Sequence, residues 1–194
     1  MRILSTLILV LGDAHIPDRA YEIPREILRF IDSLSNIDIA IYTGDFTGED
    51  VYEWFKNLCR RTYAVEGNMD YLPLPPYEVF NILGINFGVV HGDQVYPRGN
   101  LKKLTKIAHR LNVQVLFSGH THAPFVDVYG GVLHINPGSL TGAWGGGGGT
   151  GIPSLALVEI ESIEKLGIKV YELYRGKLLI TKHKIINLKE QTSR

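Results

Sequence analysis

Cysteine is nearly absent from this chain of 194 residues, which contains only Cys59. A single thiol excludes an internal disulfide framework and is typical of proteins from reducing compartments. Because its neighbours are largely apolar, we expect Cys59 to be a small packing residue; a catalytic thiol is the minority alternative. The composition thus favours a cytoplasmic protein, and the length is sufficient for one well-cored domain.

An excess of charge of either sign is also missing. The 20 Lys and Arg residues balance the 20 Asp and Glu residues. Avid nucleic-acid binding requires a basic surface that releases counterions, and this chain has no such overall charge. The same balance gives no electrostatic attraction to a membrane surface.

No apolar run is long enough to cross a membrane. The longest candidate near the N-terminus, residues 3–11, is too short to span a bilayer and flows directly into Gly12-Asp13. A short signal peptide is the alternative, but no small-residue cleavage site follows cleanly. We interpret the run as a buried first strand of parallel type.

The order of apolar patterns predicts an α/β half followed by a β half. The first half contains predicted strands at 6–11, 37–42, 62–65 and 113–117, helices at 23–31, 49–58 and 101–111, and a hairpin of 79–83 with 86–90 around Gly84. The second half contains only predicted strands, at 125–129, 132–135, 155–160, 168–174 and 178–186. Two packed sheets flanked by helices fit this order. Without a linker or an internal repeat, we expect a single domain over 1–194, with a frayed tail from about Glu190.

A run of five glycines, Gly145–Gly149, interrupts the second half. We expect it to be a mobile excursion of the chain. A phosphate cradle is the alternative, but no strand–loop–helix frame and no following Lys-Ser/Thr pair support it.

Five apolar runs end in residues that can bind a metal, and a glycine adjoins each ending. The residues are Asp13, His15, Asp45, Asn68, His91, His120 and His122. Glycine permits the sharp turns that ligand-bearing loops need. Sites in open α/β sheets form beyond the carboxyl ends of the strands, so residues far apart in sequence can meet there. Taken singly, each residue could be an ordinary turn or interior residue, but that interpretation does not explain why all the strand ends agree.

The chemistry of these seven side chains favours two divalent transition-metal ions. They supply two carboxylates, one amide and four imidazoles, a mixture that suits manganese, iron, zinc, nickel or cobalt better than calcium. A single structural zinc, which is the alternative, would use only four ligands. Two divalent cations and a shared hydroxide would leave the site at roughly +1, which suits an anionic phosphoryl group.

The predicted ligands occur in five motifs: Asp13-x-His15, Gly44-Asp45, Gly67-Asn68, His91 and Gly119-His120-x-His122. In order and in full, these motifs resemble the signature of the calcineurin-like metallophosphoesterases. The resemblance implies a four-layer αββα sandwich and a dinuclear centre. It places one metal on Asp13, His15, Asp45 and His122, and the other on Asp45, Asn68, His91 and His120. Asp45 would bridge the ions, and Asp45, Asn68 and His91 would act on a hydroxide that the metals hold as nucleophile.

Further segments, including Ile135-Asn136-Pro137-Gly138-Ser139, are similar to one branch of that family. This branch contains the YfcE-type phosphodiesterases and the vacuolar-sorting subunit of retromer, which works chiefly as a scaffold. The retromer subunit departs from the signature near Asp45 and Asn68, whereas this chain has both. We therefore expect a phosphodiesterase with manganese as the first choice of metal; the alternative is a protein-binding scaffold with a retained metal site.

The residue after Asn68 narrows the expected substrate. Family phosphomonoesterases often have a histidine there that protonates the leaving oxygen, but this chain has Met69, and the next residue, Asp70, would substitute only weakly. The resemblance thus favours a small phosphodiester, and the sequence leaves a homo-oligomer open. We also expect Asp93 to support the imidazoles and residues 136–139 to turn close to the site.

Overall fold

The computed structural model describes residues 5–162 and 164–188, which form eleven strands and three helices. In chain order these are β1 (Thr6–Leu11), α1 (Arg25–Ser33), β2 (Ile39–Tyr42), α2 (Glu49–Lys56), β3 (Thr62–Ala64), β4 (Tyr77–Ile82), β5 (Ile85–Val90), α3 (Leu101–Leu111), β6 (Val115–Ser118), β7 (Phe125–Tyr129), β8 (Val132–Asn136), β9 (Ser154–Ile160), β10 (Lys165–Tyr174) and β11 (Lys177–Asn187). The tail predicted from Glu190 lies outside the described residues.

The strands form two mixed sheets. One has the order β11-β10-β9-β1-β2-β3, and the other has the order β4-β5-β6-β8-β7. The neighbours β1, β2 and β3 are parallel, and so are β5, β6 and β8. The expectation of a parallel environment for the first strand holds on one side only, because β9 pairs with β1 in antiparallel register.

Strand β1 shows why the layers stack as they do. Successive side chains of a strand point to opposite faces of the sheet. Ile8 and Val10 therefore enter the core between the two sheets, while Leu9 and Leu11 face the helical side. Such a strand is buried on both faces and reads as one continuous apolar run.

Three apolar clusters define four layers. The first lies between the sheets and contains residues of both. The second joins the six-stranded sheet to Ile27 of α1 and Phe55 of α2. The third joins the five-stranded sheet to Leu104 and Ala108 of α3. The order helix–sheet–sheet–helix is the αββα arrangement that the family resemblance implies.

The predicted elements are all present; most of their ends shift by one to three residues, and two of these shifts have a visible local reason. Helix α1 starts at Arg25 because Pro24 is its N-cap residue with extended backbone. Strand β6 starts at Val115 because Asn112 ends α3 in the left-handed conformation, with φ 55°, and Val113 still donates to the Ala108 carbonyl. Among the described helices, none is long and apolar enough to cross a membrane.

The parallel strands place their carboxyl ends at one edge of the sandwich. The backbone N–H of Asp13 donates to the Gly44 carbonyl at 2.9 Å, which joins the ends of β1 and β2. The N–H of Gly119 donates to the His91 carbonyl, also at 2.9 Å, which joins the ends of β6 and β5. The loops that follow these four strands therefore meet at a single place.

Candidate metal centre

A first cluster of buried side chains lies where β1, β2 and β6 end. It contains Asp13, His15, Asp45 and His122. The Nε2 atoms of His15 and His122 lie 3.1 Å apart. His15 Nε2 is 3.2 Å from Asp45 Oδ2, and His122 Nε2 is 3.3 Å from Asp13 Oδ1. Four groups that normally bind protons or metals thus face one point.

A second cluster shares Asp45 with the first and adds His91 and His120. His91 Nε2 lies 3.4 Å from Asp45 Oδ2 and 3.2 Å from His120 Nδ1. Asn68 Oδ1 lies 3.1 Å from His91 Nε2, so the amide oxygen belongs to the second cluster as well. The structure therefore brings all seven predicted side chains together, in the two groups that the resemblance implies.

These separations fit metal coordination. In each cluster the carboxylate and imidazole ligand atoms lie within 4.8 Å of one another. Ligands about 2.0–2.2 Å from one ion stand roughly 3.0–3.5 Å apart in tetrahedral or octahedral geometry. The distance between His15 and His122 is of that size. The two buried clusters are consistent with a dinuclear metal site.

Backbone carbonyls fix the orientation of two imidazoles. His91 Nδ1 lies 2.8 Å from the Thr43 carbonyl, and His122 Nδ1 lies 2.7 Å from the Ala143 carbonyl. A ring that donates from Nδ1 has Nε2 free to bind a cation. The prediction that Asp93 supports the imidazoles is wrong, since its side chain is exposed and the carbonyls take that role.

Burial and neighbouring charges separate the imidazoles into two kinds. Burial lowers the pKa of His15 and of His120 to about 4, so both rings are neutral donors at pH 7. Burial also acts against the charged form of His91, but its hydrogen bond to Asp45 and the charges of Asp13 and Asp45 prevail and raise its pKa to about 9. Burial opposes ionisation of Asp45 too, yet His91 lowers the pKa of that carboxyl to about 2. Without a cation, a proton on His91 therefore neutralises the shared carboxylate.

The turns that carry these side chains have unusual backbone. Non-glycine residues rarely adopt positive φ, and they do so mostly where the surroundings enforce it. Six residues of these loops have φ between 50° and 65°: Asp13, His15, Asp45, Thr47, His120 and His122. Residues two apart in an extended chain point to the same face, whereas His120 and His122 reach different clusters because both have left-handed backbone.

Glycines allow the loops to approach closely. A Cβ at Gly67 would lie 2.2 Å from Asp45 Oδ1, and one at Gly119 would lie 2.8 Å from Asp13 Oδ2. No side chain fits at either position without displacing a predicted ligand. The glycines next to the strand ends are therefore part of the site.

Asp70 has a role that sequence reasoning missed. Its carboxylate accepts backbone N–H groups from Asp45 at 2.8 Å, Thr47 at 2.9 Å and Gly67 at 2.8 Å. Both oxygens are occupied, so the expectation that Asp70 might protonate a leaving group is wrong. The signal available in the sequence was its position three residues after Gly67, which is typical of a side chain that closes a turn.

The other flanking segments lie near the site. Asn136 Nδ2 donates to the Gly119 carbonyl at 2.8 Å, and Ser139 Oγ donates to the Asp13 carbonyl at 2.7 Å, so the turn at 136–139 is close to the site as expected. The glycine loop is only partly an excursion. Gly145 is buried and a Cβ there would lie 2.6 Å from His122 Cγ, whereas Gly147 and Gly148 have open space around them.

The larger cavities differ in their relation to the site. A cleft of about 970 Å³ lies beyond the C-terminal ends of α1 and α2 and contains none of the predicted ligands. A smaller cleft of about 370 Å³ is bordered by Asn68 and includes Asp93 in its wall. The smaller cleft is therefore the one of these two that adjoins a predicted ligand.

Two imidazole-rich clusters that share one carboxylate, at the edge of a two-sheet α/β sandwich, define a metallophosphoesterase. Residues 7–162 match the family model described as the calcineurin-like phosphoesterase superfamily domain, and the chain belongs to this superfamily. The chain is 46% identical over 137 residues to a "probable metallophosphoesterase" of Methanocaldococcus jannaschii, covering 71% of this chain and 69% of that protein.

Solved structures share the whole fold. Vacuolar protein sorting 29 of Cryptosporidium parvum superimposes with a TM-score of 0.88 at 29% identity, covering 94% of this chain and 98% of that one. Wild-type Vps29 of Entamoeba histolytica complexed with Zn²⁺ gives a TM-score of 0.82 at 32% identity, covering 94% and 99%. The fold with two mixed sheets and three helices is thus that of the Vps29-like metallophosphoesterases.

Proposed function

We propose that this metallophosphoesterase is a phosphodiesterase that uses two divalent cations. The observation that carries the proposal is the shared carboxylate of Asp45, whose Oδ2 lies 3.2 Å from His15 Nε2 and 3.4 Å from His91 Nε2. One carboxylate between two clusters is the arrangement needed to hold two cations a few ångströms apart.

Divalent cations bound here would supply a water of lowered pKa, towards about 7, and charge neutralisation at phosphoryl oxygens. The chain supplies the groups that hold such cations in place. Asp13, His15 and His122 line one side, and Asn68 with His91 lines the other. The neutral rings of His15 and His120 add no charge, so the site keeps the net positive charge that attracts a phosphodiester.

The residues around Asn68 support a diester rather than a monoester. Met69 cannot donate a proton, and its backbone N–H donates to Asp45 Oδ1 at 2.8 Å. Both oxygens of the Asp70 carboxylate accept backbone N–H groups. A substrate must therefore leave without help from these two side chains, which favours diesters with stable leaving groups.

Manganese is the metal we propose first, with iron, zinc, nickel and cobalt as the other members of the set. Mixed carboxylate, amide and imidazole ligands suit these ions. The Zn²⁺ complex of the Vps29 from Entamoeba histolytica shows that this ion binds that protein. Elemental analysis of protein purified without chelator and then saturated with Mn²⁺ should give two metals per chain.

The test is hydrolysis of bis(4-nitrophenyl) phosphate with added Mn²⁺. Asp45→Ala and His120→Ala should each lose at least 100-fold in kcat/KM, since both remove a cation ligand. His109→Ala is the matched control, because the ring of this exposed histidine of α3 contacts the Gly130 carbonyl and belongs to neither predicted cluster. Equal rates in all four proteins would refute the proposal.

The likeness to Vps29 supports a second candidate, a protein-binding scaffold that retains the metal site. It rests on the TM-score of 0.88 with the Cryptosporidium parvum protein. Two bound metals per chain without hydrolysis of any diester would favour the scaffold over the enzyme.

A further inference from the structure

Trp144 is exposed, although the residues before and after it in sequence pack against the metal centre. The Ala143 carbonyl lies 2.7 Å from His122 Nδ1, and a Cβ at Gly145 would lie 2.6 Å from His122 Cγ. The indole therefore projects from backbone that touches a predicted ligand, yet it is 73% exposed.

Two arginines hold this segment in position. Arg19 Nη1 donates to the Trp144 carbonyl at 2.9 Å, and Arg98 Nη1 donates to the Gly145 carbonyl. The Arg19 guanidinium also lies 5.9 Å from the centre of the indole ring, within the range of a cation–π contact. Because the backbone N–H of Arg19 donates to the His15 carbonyl at 2.8 Å, the indole is tied to the loops that carry His15 and His122.

Exposing the indole of Trp144 to water is less favourable than burying it in an apolar core. Burial of a large aromatic ring is favourable because it removes apolar surface from water. Trp54, the other tryptophan, packs partly against the helical core. The glycine loop that follows Trp144 has open space around it, since Cβ atoms at Gly147 and Gly148 would meet nothing within 4 Å. A positioned and largely exposed indole thus stands beside His122, one of the predicted ligands of the first cluster.

We propose that Trp144 is a specificity-determining residue that stacks on an aromatic group of the substrate, a nucleoside or aryl group attached to the diester. The inference rests on the proposed function and adds the substrate class. Arg19 and Arg98 each use only part of their five N–H donors on the carbonyls, so donors remain for the anionic phosphoryl group.

The experiment compares two diesters that release the same 4-nitrophenolate: the 4-nitrophenyl ester of thymidine 5′-monophosphate and methyl 4-nitrophenyl phosphate. The measured quantity is the ratio of their kcat/KM values. Trp144→Ala should lower this ratio about 5- to 100-fold, as stacking on a base is worth about 1–3 kcal/mol. Trp144→Phe should retain most of the ratio. Tyr129→Ala, at the exposed last residue of β7 and remote from the site, is the control.

A binding measurement separates this inference from the hydrolytic function. Thymidine 5′-monophosphate should quench the tryptophan fluorescence of the Mn²⁺-loaded protein saturably, and Trp144→Ala should abolish that quenching because only Trp54 remains. Quenching without hydrolysis of either diester would support the inference while refuting the phosphodiesterase. Hydrolysis of both diesters with a ratio that Trp144→Ala leaves within twofold would overturn the inference and leave the phosphodiesterase standing.

Discussion

The carboxylate of Asp70 accepts the backbone N–H of Asp45 at 2.8 Å, and so one aspartate fixes the turn on which the shared metal ligand stands. The same carboxylate holds Thr47 and Gly67. It therefore joins the loop after β2 to the loop after β3. Without this link, the left-handed backbone of Asp45, at φ 59°, would lack its hydrogen bond.

Asp70→Asn should weaken both the fold and the metal centre. The amide keeps one acceptor oxygen but turns an NH₂ group towards a backbone donor, so at least one bond is lost. We expect a loss of about 1–3 kcal/mol in the free energy of unfolding and a reduced Mn²⁺ stoichiometry. Urea unfolding and elemental analysis measure these effects. Asp93→Asn, at an exposed position beside the site, is the control, and equal behaviour of the two variants would contradict the role of Asp70.

Gly67→Ala should abolish metal binding at the shared carboxylate. The added Cβ would lie 2.2 Å from Asp45 Oδ1 and 2.3 Å from Asp45 N, so the turn must move. Gly167→Ala is the matched control, because the nearest atom to its Cβ would be 3.7 Å away. We expect the first variant to lose hydrolysis at least 100-fold while the second stays within about twofold of wild type. Retention of two Mn²⁺ ions by Gly67→Ala would show that the turn can relax.

Much of the site could be predicted because the ligands follow apolar runs and a glycine adjoins the end of each run. Asp13 and His91 are visible in this way, and parallel strands bring such endings to one edge of a sheet. The carbonyls of Thr43 and Ala143 could not be predicted, since every residue has a carbonyl and its direction depends on the turn. The left-handed turn at His120 is likewise imposed by tertiary contacts, and so is the antiparallel pairing of β9 with β1.

Met69→His should extend the activity to monoesters. The family resemblance places a proton-donating histidine at this position, and general acid catalysis contributes roughly 10²–10⁴-fold. We expect kcat/KM for an alkyl phosphomonoester to rise at least tenfold, with little change for bis(4-nitrophenyl) phosphate, whose leaving group needs no proton. Met69→Leu is the control for packing. No gain with the histidine would mean that the imidazole does not reach the leaving oxygen.

Metal affinity should rise with pH up to about 9. The hydrogen bond to Asp45 and nearby carboxylates overcome burial and raise the pKa of His91 to about 9, so below that value its proton competes with a cation. Binding must release the proton, and the apparent affinity should fall about tenfold per pH unit on the acidic side. Calorimetric titration with Mn²⁺ in buffers of different ionisation enthalpy measures the release. Binding without proton release at pH 7.5 would contradict the assignment.

Acid should destabilise the fold through His134, which lies far from the metal centre on β8. This ring is fully buried and its Nε2 lies 2.8 Å from Thr105 Oγ1, while Nδ1 has no hydrogen-bond partner. Burial lowers the pKa of His134 to about 4, against 6.5 for an unfolded chain. The unfolded state therefore binds more protons between pH 6.5 and 4, and the stability present above pH 6.5 is lost as the pH falls through that window.

The variant His134→Gln isolates this effect, because glutamine can still bond Thr105 but does not titrate. Between pH 7.5 and pH 5, the wild type should lose about 2 kcal/mol more of its free energy of unfolding than the variant. Both measurements use urea with EDTA present, so that changes at the metal ligands cancel in the difference. His109→Gln, at an exposed histidine on α3, should follow the wild type. If His134→Gln also followed the wild type, the acid sensitivity would arise from another buried group and the role of His134 would be refuted. His15 and His120 would be the next candidates, since burial lowers the pKa of each to about 4.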